Sequence, residues 1–352
     1  MNGQRPLLVS NDPELIDDVL RLAAANAVEI HLATDVESAR GRWQVAPLVL
    51  VGADVCLALA GAHLMRRRDV VLVAHELAAD AWQSAVALGA EHVVSLPEAE
   101  RWLIDRLADS HEGPARDGRV VAVLGSGAGA GASTFAVTLA LAGTSRSLRV
   151  LLVDADALGG GLDILLGIED VPGIRWPDLA DTRGRLGAQS LEQALPSYRG
   201  LSVLSWGRSG PISVSPESTA AVLDAAVRGF DLVIIDVPRH LDAGAELVVS
   251  RAEVAVVVTS NRVRAAAAAA RLVEHLRARV GAVRLVLRMD PRGLRDEAVE
   301  AALAVPVIAR LPVVPTLPAR ADDGEPPSLN DAYGRACVAV LKEVAGATER
   351  AA

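Results

Sequence analysis

Short apolar runs alternate with longer mixed stretches along the first part of the chain. Each run is bounded by polar residues, which is typical of strands, and the stretches between the runs are long enough for helices. Strands that alternate with helices in this way predict a parallel sheet. The predicted strands are residues 6–10, 48–51, 70–74 and 92–95.

The second part of the chain repeats this alternation on a larger scale. Its apolar runs are nearly continuous in Val, Ile and Leu, which predicts strands buried on both faces of a sheet. Six alanines at 265–270 favour one of the intervening helices, and a last helix is predicted over about 330–345. The predicted strands are residues 120–124, 150–153, 201–204, 232–235, 254–258, 283–287 and 307–309.

A polar segment that contains Gly and Pro separates the two parts. Residues 109–118 read DSHEGPARDG, which is typical of a linker between domains. The sequence therefore predicts an α/β protein with two domains, residues 1–108 and 119–345. Both have a mostly parallel sheet, and the first is flavodoxin-like.

Length and charge limit the classes of function. A chain of 352 residues, 51% of them hydrophobic, can form two such cores. A formal charge of −9 gives no general electrostatic reason to bind nucleic acid, so no specific nucleic-acid partner is predicted. Residues 262–295 nevertheless contain nine arginines against two acidic residues. This stretch is either a solvated helix face or a patch that binds a phosphate or a partner.

The cysteines and the apolar segments indicate the compartment. Cys56 and Cys337 are far apart and lack metal-ligand spacing, which indicates a reducing environment. No basic segment with a long apolar run precedes the first strand, so no secretory signal is expected. Residues 120–145 are uncharged and long enough to span a bilayer, but their alternating glycines favour a strand, a loop and a helix. A cytoplasmic protein is expected.

The most informative motif is VAVLGSGAGAGAST at residues 121–134. It predicts a strand, a glycine-rich turn and the start of a helix. Such a turn can direct several backbone N–H groups and a helix N-terminus at one phosphate. Small residues let the ligand approach the backbone, and glycine alone reaches positive φ without strain. The candidate nucleotide-binding residues are Gly127, Gly129, Ala130, Gly131, Ala132, Ser133 and Thr134.

Three aspartates follow this loop at the ends of predicted strands. Asp154 and Asp156 come after the next strand, and Asp236 ends the run at 232–235. Open α/β sheets bind their ligands at the carboxyl ends of the strands. We therefore expect these three carboxylates to converge on the loop as part of the nucleotide site.

With these aspartates, the loop resembles that of the MinD/ParA superfamily of deviant P-loop ATPases. The resemblance is closer to its CpaE/TadZ-like branch and to actinobacterial septum site-determining proteins. It covers about residues 119–341 and includes GIRWPDL at 173–179. The family loop reads Lys-Gly-Gly-x-Gly-Lys followed by Ser or Thr. Aligned on Gly131, the first lysine falls on Gly127 and the second on Ala132, while Ser133 keeps the hydroxyl.

The resemblance implies ATP or ADP with Mg²⁺ as the cofactor and a homodimer as a further expectation. It assigns Ser133 and Asp236 to Mg²⁺, the latter through water. It also assigns Asp156 to the attacking water and Asp163 to a switch position. The alternative interpretation is that the aspartates cap turns or helices, and Asp154 suits that role best.

Both family lysines are missing, since Lys342 is the only lysine in the chain. Backbone amides can still bind a phosphate, but the charge that develops on a transferred phosphoryl group loses its main stabiliser. Hydrolysis is therefore predicted to be slow or absent. The lysine that reaches across to the partner's nucleotide in the family's dimer is also absent. Arg288 falls near an adenine-contacting asparagine of the family, and an arginine cannot accept a hydrogen bond.

The first domain resembles a receiver domain of response regulators. Receivers are phosphorylated on an aspartate at the end of the third strand, but that position is Gly52, and Asp54 lies two residues beyond. The lysine that precedes a proline after the fifth strand is replaced by Leu96. The resemblance therefore implies a pseudo-receiver used for protein contact.

Three functions are compatible with the sequence. The preferred one is a nucleotide-responsive spatial regulator that places division or secretion/pilus machinery and reaches the inner face of the membrane only through partners. The second is a working ATPase in which Arg239 replaces the lysine. The third is a dinucleotide-dependent oxidoreductase, because residues 127–132 also satisfy G-x-G-x-x-A. Asp156 and Asp236 have no role in that third reading.

Overall fold

The computed structural model describes residues 5–25, 28–62, 64–77, 79–112, 118–208 and 213–345. The chain divides into two compact units, Met1–Ala115 and Arg116–Ala352. In the described ranges, no helix is both long enough and apolar enough to cross a bilayer. The uncharged segment at 120–145 is instead divided between a strand, a loop and a helix.

The first unit is a five-stranded parallel sheet. Its strands are β1 Leu7–Val9, β2 His31–Ala33, β3 Val49–Gly52, β4 Val70–Ala74 and β5 His92–Ser95, and its helices are α1 Pro13–Ala24, α2 Val36–Arg40, α3 Ala53–Gly61, α4 Ala79–Leu88 and α5 Glu100–Glu112. The strand order is β2-β1-β3-β4-β5, and separate apolar clusters cover the two faces.

Four of the five strands of this sheet were predicted, and β2 was not. β2 has three residues, lies at the edge of the sheet and is partly exposed, so it lacks an apolar run. The helix α5 continues to Glu112, so the first four residues of the predicted linker are helical. Residues 113–117 of that linker lie outside the described residues.

The second unit is an eight-stranded sheet. Its strands are β6 Arg119–Gly125, β7 Val150–Asp154, β8 Ser197–Tyr198, β9 Leu201–Leu204, β10 Leu232–Val237, β11 Val254–Ser260, β12 Ala282–Arg288 and β13 Val307–Leu311. Its helices are α6 Ala132–Thr144, α7 Leu162–Leu165, α8 Ala188–Ala194, α9 Pro216–Gly229, α10 Ala243–Arg251, α11 Val263–Arg277, α12 Asp296–Leu303, α13 Leu317–Asp322 and α14 Ala332–Ala345, with a 3₁₀ helix at Trp176–Leu179.

The order β13-β12-β11-β6-β10-β7-β9-β8 places β6 in the middle of the second sheet. The pairings are parallel except for β8, a two-residue edge strand that the sequence did not predict. Apolar side chains of β6, β7, β10 and β11 fill cores on both faces, as their continuous Val/Ile/Leu runs predicted. The connection after β6 leads to β7, on one side of β6, while β11 lies on its other side. A crevice therefore opens at the carboxyl end of β6.

Candidate functional site

The loop between β6 and α6 leaves the first turn of α6 open to a ligand. Gly129 and Gly131 have φ of +67° and +92°, values that a side chain would strain. A Cβ built on Gly127, Gly129 or Gly131 meets no atom within 4 Å, so these glycines face free space. Gly131 begins the helix without a side-chain cap, and the N–H groups of residues 132–134 therefore point to the crevice without an intrahelical acceptor. Such N–H groups suit an anion.

A cavity of about 370 Å³ lies over this loop, and we call it the phosphate-loop cavity. Its volume is in the range of roughly 300–1,000 Å³ that is usual for small-molecule sites. Asp156, Asp236 and Arg239 contribute to its wall. The same cavity is lined by every candidate residue of the loop, namely Gly127, Gly129, Ala130, Gly131, Ala132, Ser133 and Thr134.

Two buried carboxylates lie side by side beneath the cavity. Asp236 at the end of β10 is in register with Asp154 at the end of β7. Burial raises the pKa of Asp236 to about 7, against a hydrogen bond from the Ser133 hydroxyl that lowers it. Burial likewise raises the pKa of Asp154 to about 6, although backbone N–H groups stabilise its ionised form. Burial of both carboxyls therefore disfavours two negative charges here near neutral pH.

The structure separates the roles of Asp154 and Asp156. Asp154 does not line the phosphate-loop cavity in the described part of the chain, because its carboxylate accepts hydrogen bonds from the Asp156 and Leu162 N–H groups at 3.0 and 3.1 Å. It thereby shapes the turn after β7. Asp156 does line the cavity, and one of its oxygens accepts from Leu158 N at 3.2 Å. Only Asp156 and Asp236 of the three predicted aspartates face the ligand space.

Asp163, the predicted switch position, is fixed in a buried ionic cluster that we call the Asp163 clamp. Arg208 Nη2 lies 2.8 Å from its carboxylate and Arg175 Nε lies 3.5 Å away, while the Ser205 hydroxyl donates to it at 3.1 Å. The side chain of Asp163 is 3% exposed. A Cβ on Gly161 would lie 2.7 Å from the same carboxylate, so glycine is needed there.

Sequence analysis did not single out Arg208 or Ser205. They lie 45 and 42 residues from Asp163, and neither follows a motif. A basic residue at such a distance gives no local signal of its partner, so only the fold identifies the clamp.

Two arginines lie at the edges of the loop. Arg239 lines the phosphate-loop cavity and, within the described residues, has no hydrogen bond or ion pair. Arg288, at the end of β12, donates from Nη1 to the Gly129 carbonyl oxygen at 2.7 Å. It also lines a second cavity of about 540 Å³ that shares Gly129, Gly131 and Thr134 with the first. We call this second space the proline-lined cavity, because Pro312, Pro315 and Pro318 form part of its wall.

The residues present fit a nucleotide with Mg²⁺. Hydroxyl and carboxylate oxygens are ligands that Mg²⁺ prefers, and Ser133 and Asp236 offer one of each in contact. No group of three or more His, Cys, Asp or Glu side chains in the described ranges could hold a metal by itself. The metal would therefore need phosphate oxygens as further ligands, which is how Mg²⁺ usually binds in such sites.

The receiver-like unit has a different polar arrangement at the end of β3. A Cβ on Gly52 would lie 2.1 Å from Asp54 Oδ1, so the Asp54 carboxylate occupies the space that a side chain at position 52 needs. Asp54 in turn accepts from the Ser10 hydroxyl at 2.9 Å and from Asn11 N at 2.6 Å. Asp12 caps α1. The Asp54 carboxylate is thus engaged in hydrogen bonds within the receiver-like unit.

We expect no phosphorylation of this unit by acetyl phosphate, because Gly52 supplies no acceptor and Asp54 is engaged by two donors. The measurement is intact-mass and peptide mass spectrometry of the full chain after incubation with Mg²⁺ and acetyl phosphate. The Asp54→Asn variant is the matched control. A phosphoaspartate mapped to Asp54 in the wild type and lost in the control would contradict the pseudo-receiver interpretation.

The fold and loop define the class of protein: a receiver-like domain followed by a P-loop domain of the MinD/ParA fold. MinD of Pyrococcus horikoshii, a septum site-determining protein solved with Mg-ADP, is 22% identical with a TM-score of 0.55 over 64% of this chain and 95% of that chain. A ParA family ATPase of Chlorobium tepidum is 17% identical with a TM-score of 0.58 over 63% of this chain and 98% of that chain. At these identities the likeness shows the fold.

Sequence similarity extends over both units. The CheY-like N-terminal domain of Rv3660c-like proteins matches residues 9–118. The uncharacterized protein Rv3660c of Mycobacterium tuberculosis is 40% identical over 322 residues, which is 89% of this chain and 90% of Rv3660c. The chain belongs to the Rv3660c-like family.

Proposed function

We propose that this protein is a nucleotide-responsive adaptor that helps to place the division septum and hydrolyses nucleotide slowly or not at all. The main support for the proposal is a glycine-rich loop that has the shape of a phosphate-binding loop but lacks a lysine. Gly129, Gly131 and Ser133 keep the shape and hydroxyl of such a loop, but Ala132 stands where a lysine would reach the phosphates. The only lysine, Lys342, is in α14.

Each part of the site has a separate role in this proposal. The N–H groups at the start of α6 would bind the phosphates, and Ser133 and Asp236 would hold Mg²⁺. When bound, Mg²⁺ neutralises phosphate charge. Asp156 faces the cavity and could orient a water molecule, but no lysine stabilises charge on a transferred phosphoryl group. The site thus favours binding over turnover.

The septum role is supported by the MinD fold of the second unit, whose solved relative from Pyrococcus horikoshii is a septum site-determining protein. We assign the nucleotide site to residues 119–345 and a protein-contact role to the receiver-like unit. The proposed partners are division proteins, with a homodimer as one assembly, and a membrane would be reached through those partners. The CpaE/TadZ-like resemblance makes pilus or secretion machinery the alternative partner.

Arg239 supports a second candidate, a working ATPase. Its guanidinium faces the cavity and, among the described residues, has no other partner, so it could supply the missing charge. An arginine fork fits a loop shaped for a single ammonium poorly, since its donors are fixed in a plane. We therefore place this candidate second.

We expect no steady-state release of phosphate from ATP or GTP that distinguishes the wild type from Asp236→Ala. The measurement is a continuous phosphate assay with Mg²⁺ on the full chain, with Arg239→Ala measured in parallel and circular dichroism as the folding control. Turnover that both substitutions remove would establish the working NTPase and overturn the adaptor proposal.

A further inference from the structure

The proline-lined cavity offers a continuous path away from the phosphate loop. It shares Gly129, Gly131 and Thr134 with the phosphate-loop cavity, so a ligand with phosphates on the loop can extend into it. Its volume of about 540 Å³ suits a ring system, and most of its wall is apolar. The apolar wall includes Pro312, Val313, Pro315, Leu317, Pro318 and Tyr333.

The polar groups of this cavity are few and differ in kind. Arg288 uses one of its five N–H groups on the Gly129 carbonyl oxygen, which leaves four donors and fixes the guanidinium at the junction of the two cavities. Asp290 lines the same cavity and is a hydrogen-bond acceptor. Its carboxylate is held by Arg262 at 2.7 Å and by Arg292 N at 2.9 Å. A carboxylate has about four lone-pair sites, so acceptor capacity remains.

The two purines match these polar groups differently. Guanine presents two adjacent acceptors, O6 and N7, which match the planar donor fork of an arginine. Adenine presents a donor, the N6 amine, beside N7, and this pattern suits an asparagine amide rather than a guanidinium. Guanine also carries an exocyclic N2 amine, which an acceptor such as the Asp290 carboxylate can receive.

We propose that the proline-lined cavity binds the guanine ring of a guanosine di- or triphosphate and that Arg288 determines this base specificity. The inference rests on the proposed function, because it requires the loop to bind the phosphates. It departs from the adenine nucleotide that the family resemblance implies. The apolar wall stacks on the ring, and the Arg288 fork pairs with O6 and N7.

The test is calorimetric titration of the full chain with GDP and, separately, ADP, each with Mg²⁺. We expect GDP to bind about tenfold or more tightly than ADP, which is the discrimination that one bidentate base contact gives. Arg288→Asn is expected to remove or invert this preference, because the amide pairs with adenine. Arg292→Asn is the matched control, since it removes the same charge four residues away at a side chain outside the cavity wall.

The ratio of the GDP and ADP affinities distinguishes a role of Arg288 in base specificity from a role in supporting the loop. If Arg288 only supported the loop through Gly129, its substitution would weaken GDP and ADP equally and leave the ratio unchanged. Equal binding of both nucleotides by the wild type, or tighter binding of ADP, overturns the guanine inference but leaves the phosphate site standing. Binding of neither nucleotide by the folded protein overturns this inference and the proposed function together.

Discussion

Replacing Ala132 by lysine is expected to tighten the binding of a Mg²⁺-nucleotide about ten- to hundredfold. Ala132 is half-buried in the first turn of α6 and lines the phosphate-loop cavity, so a lysine there projects towards the phosphates. Gly129, Gly131 and Ser133 already provide the loop shape and the hydroxyl. A hydrogen bond to a charged group contributes about 1.5–3 kcal/mol, and every 1.4 kcal/mol is about tenfold in Kd.

The measurement is calorimetric titration of wild type and Ala132→Lys with non-hydrolysable analogues of ATP and of GTP. Ala132→Met is the matched control, because methionine has a comparable length without the charge. The double variant Gly127→Lys with Ala132→Lys is further expected to self-associate when nucleotide is present, as measured by sedimentation velocity. If the folded Ala132→Lys variant binds both analogues no tighter than Ala132→Met, the glycine loop is not a phosphate site.

The free energy of unfolding of the protein without nucleotide is expected to fall by a few kcal/mol between about pH 4 and about pH 7, with Asp236 as a main cause. The folded-state pKa of Asp236 is about 7 and that of Asp154 about 6, against an ordinary value of 3.8. Between the ordinary and the folded values the folded state binds more protons, so its stability falls as the pH rises. Each pKa unit corresponds to about 1.4 kcal/mol.

Chemical denaturation of wild type and Asp236→Asn at each pH measures this effect as the difference between the two proteins. The asparagine keeps a hydrogen-bonding partner for Ser133 and has no charge to desolvate, so its unfolding free energy should depend less on pH. Asp224→Asn is the control, because the Asp224 side chain on α9 is half-exposed and, among the described residues, pairs with Arg251 alone. Parallel pH profiles for wild type and Asp236→Asn would show that the buried carboxylate is not desolvated as the structure indicates.

The strands of both sheets were predictable because burial on both faces requires continuous apolar runs. The two strands that were missed are edge strands, where one side lacks a neighbour and the runs are only two or three residues long. The predicted linker overlaps the last turn of α5 for a related reason. That turn is polar, and polarity alone does not distinguish a solvated helical turn from a linker.

The loop was predictable because glycine spacing and the following helix are local features of the sequence. The positions of the aspartates were only partly predictable. Asp154 and Asp236 are neighbours because β7 and β10 are adjacent in the sheet, and the local sequence does not determine the order of strands. The contact between Arg288 and Gly129 spans 159 residues. Such contacts depend on which loops meet at the crevice, so they require the three-dimensional structure.

The Asp163 clamp affects how this protein could respond to hydrolysis of a bound nucleotide. In a switch that hydrolyses its nucleotide, the active conformation lasts until the terminal phosphate leaves. Here the segment after β7 is held by Arg175, Arg208 and Ser205, all of them contacts within the chain that need no phosphate. Under the proposed function, a segment held by these contacts would respond little to the loss of a phosphate. If the protein is the nucleotide-responsive adaptor proposed above, its output would follow the occupancy of the site, which the free concentration of the nucleotide and its Kd determine, and the protein would report the supply of nucleotide.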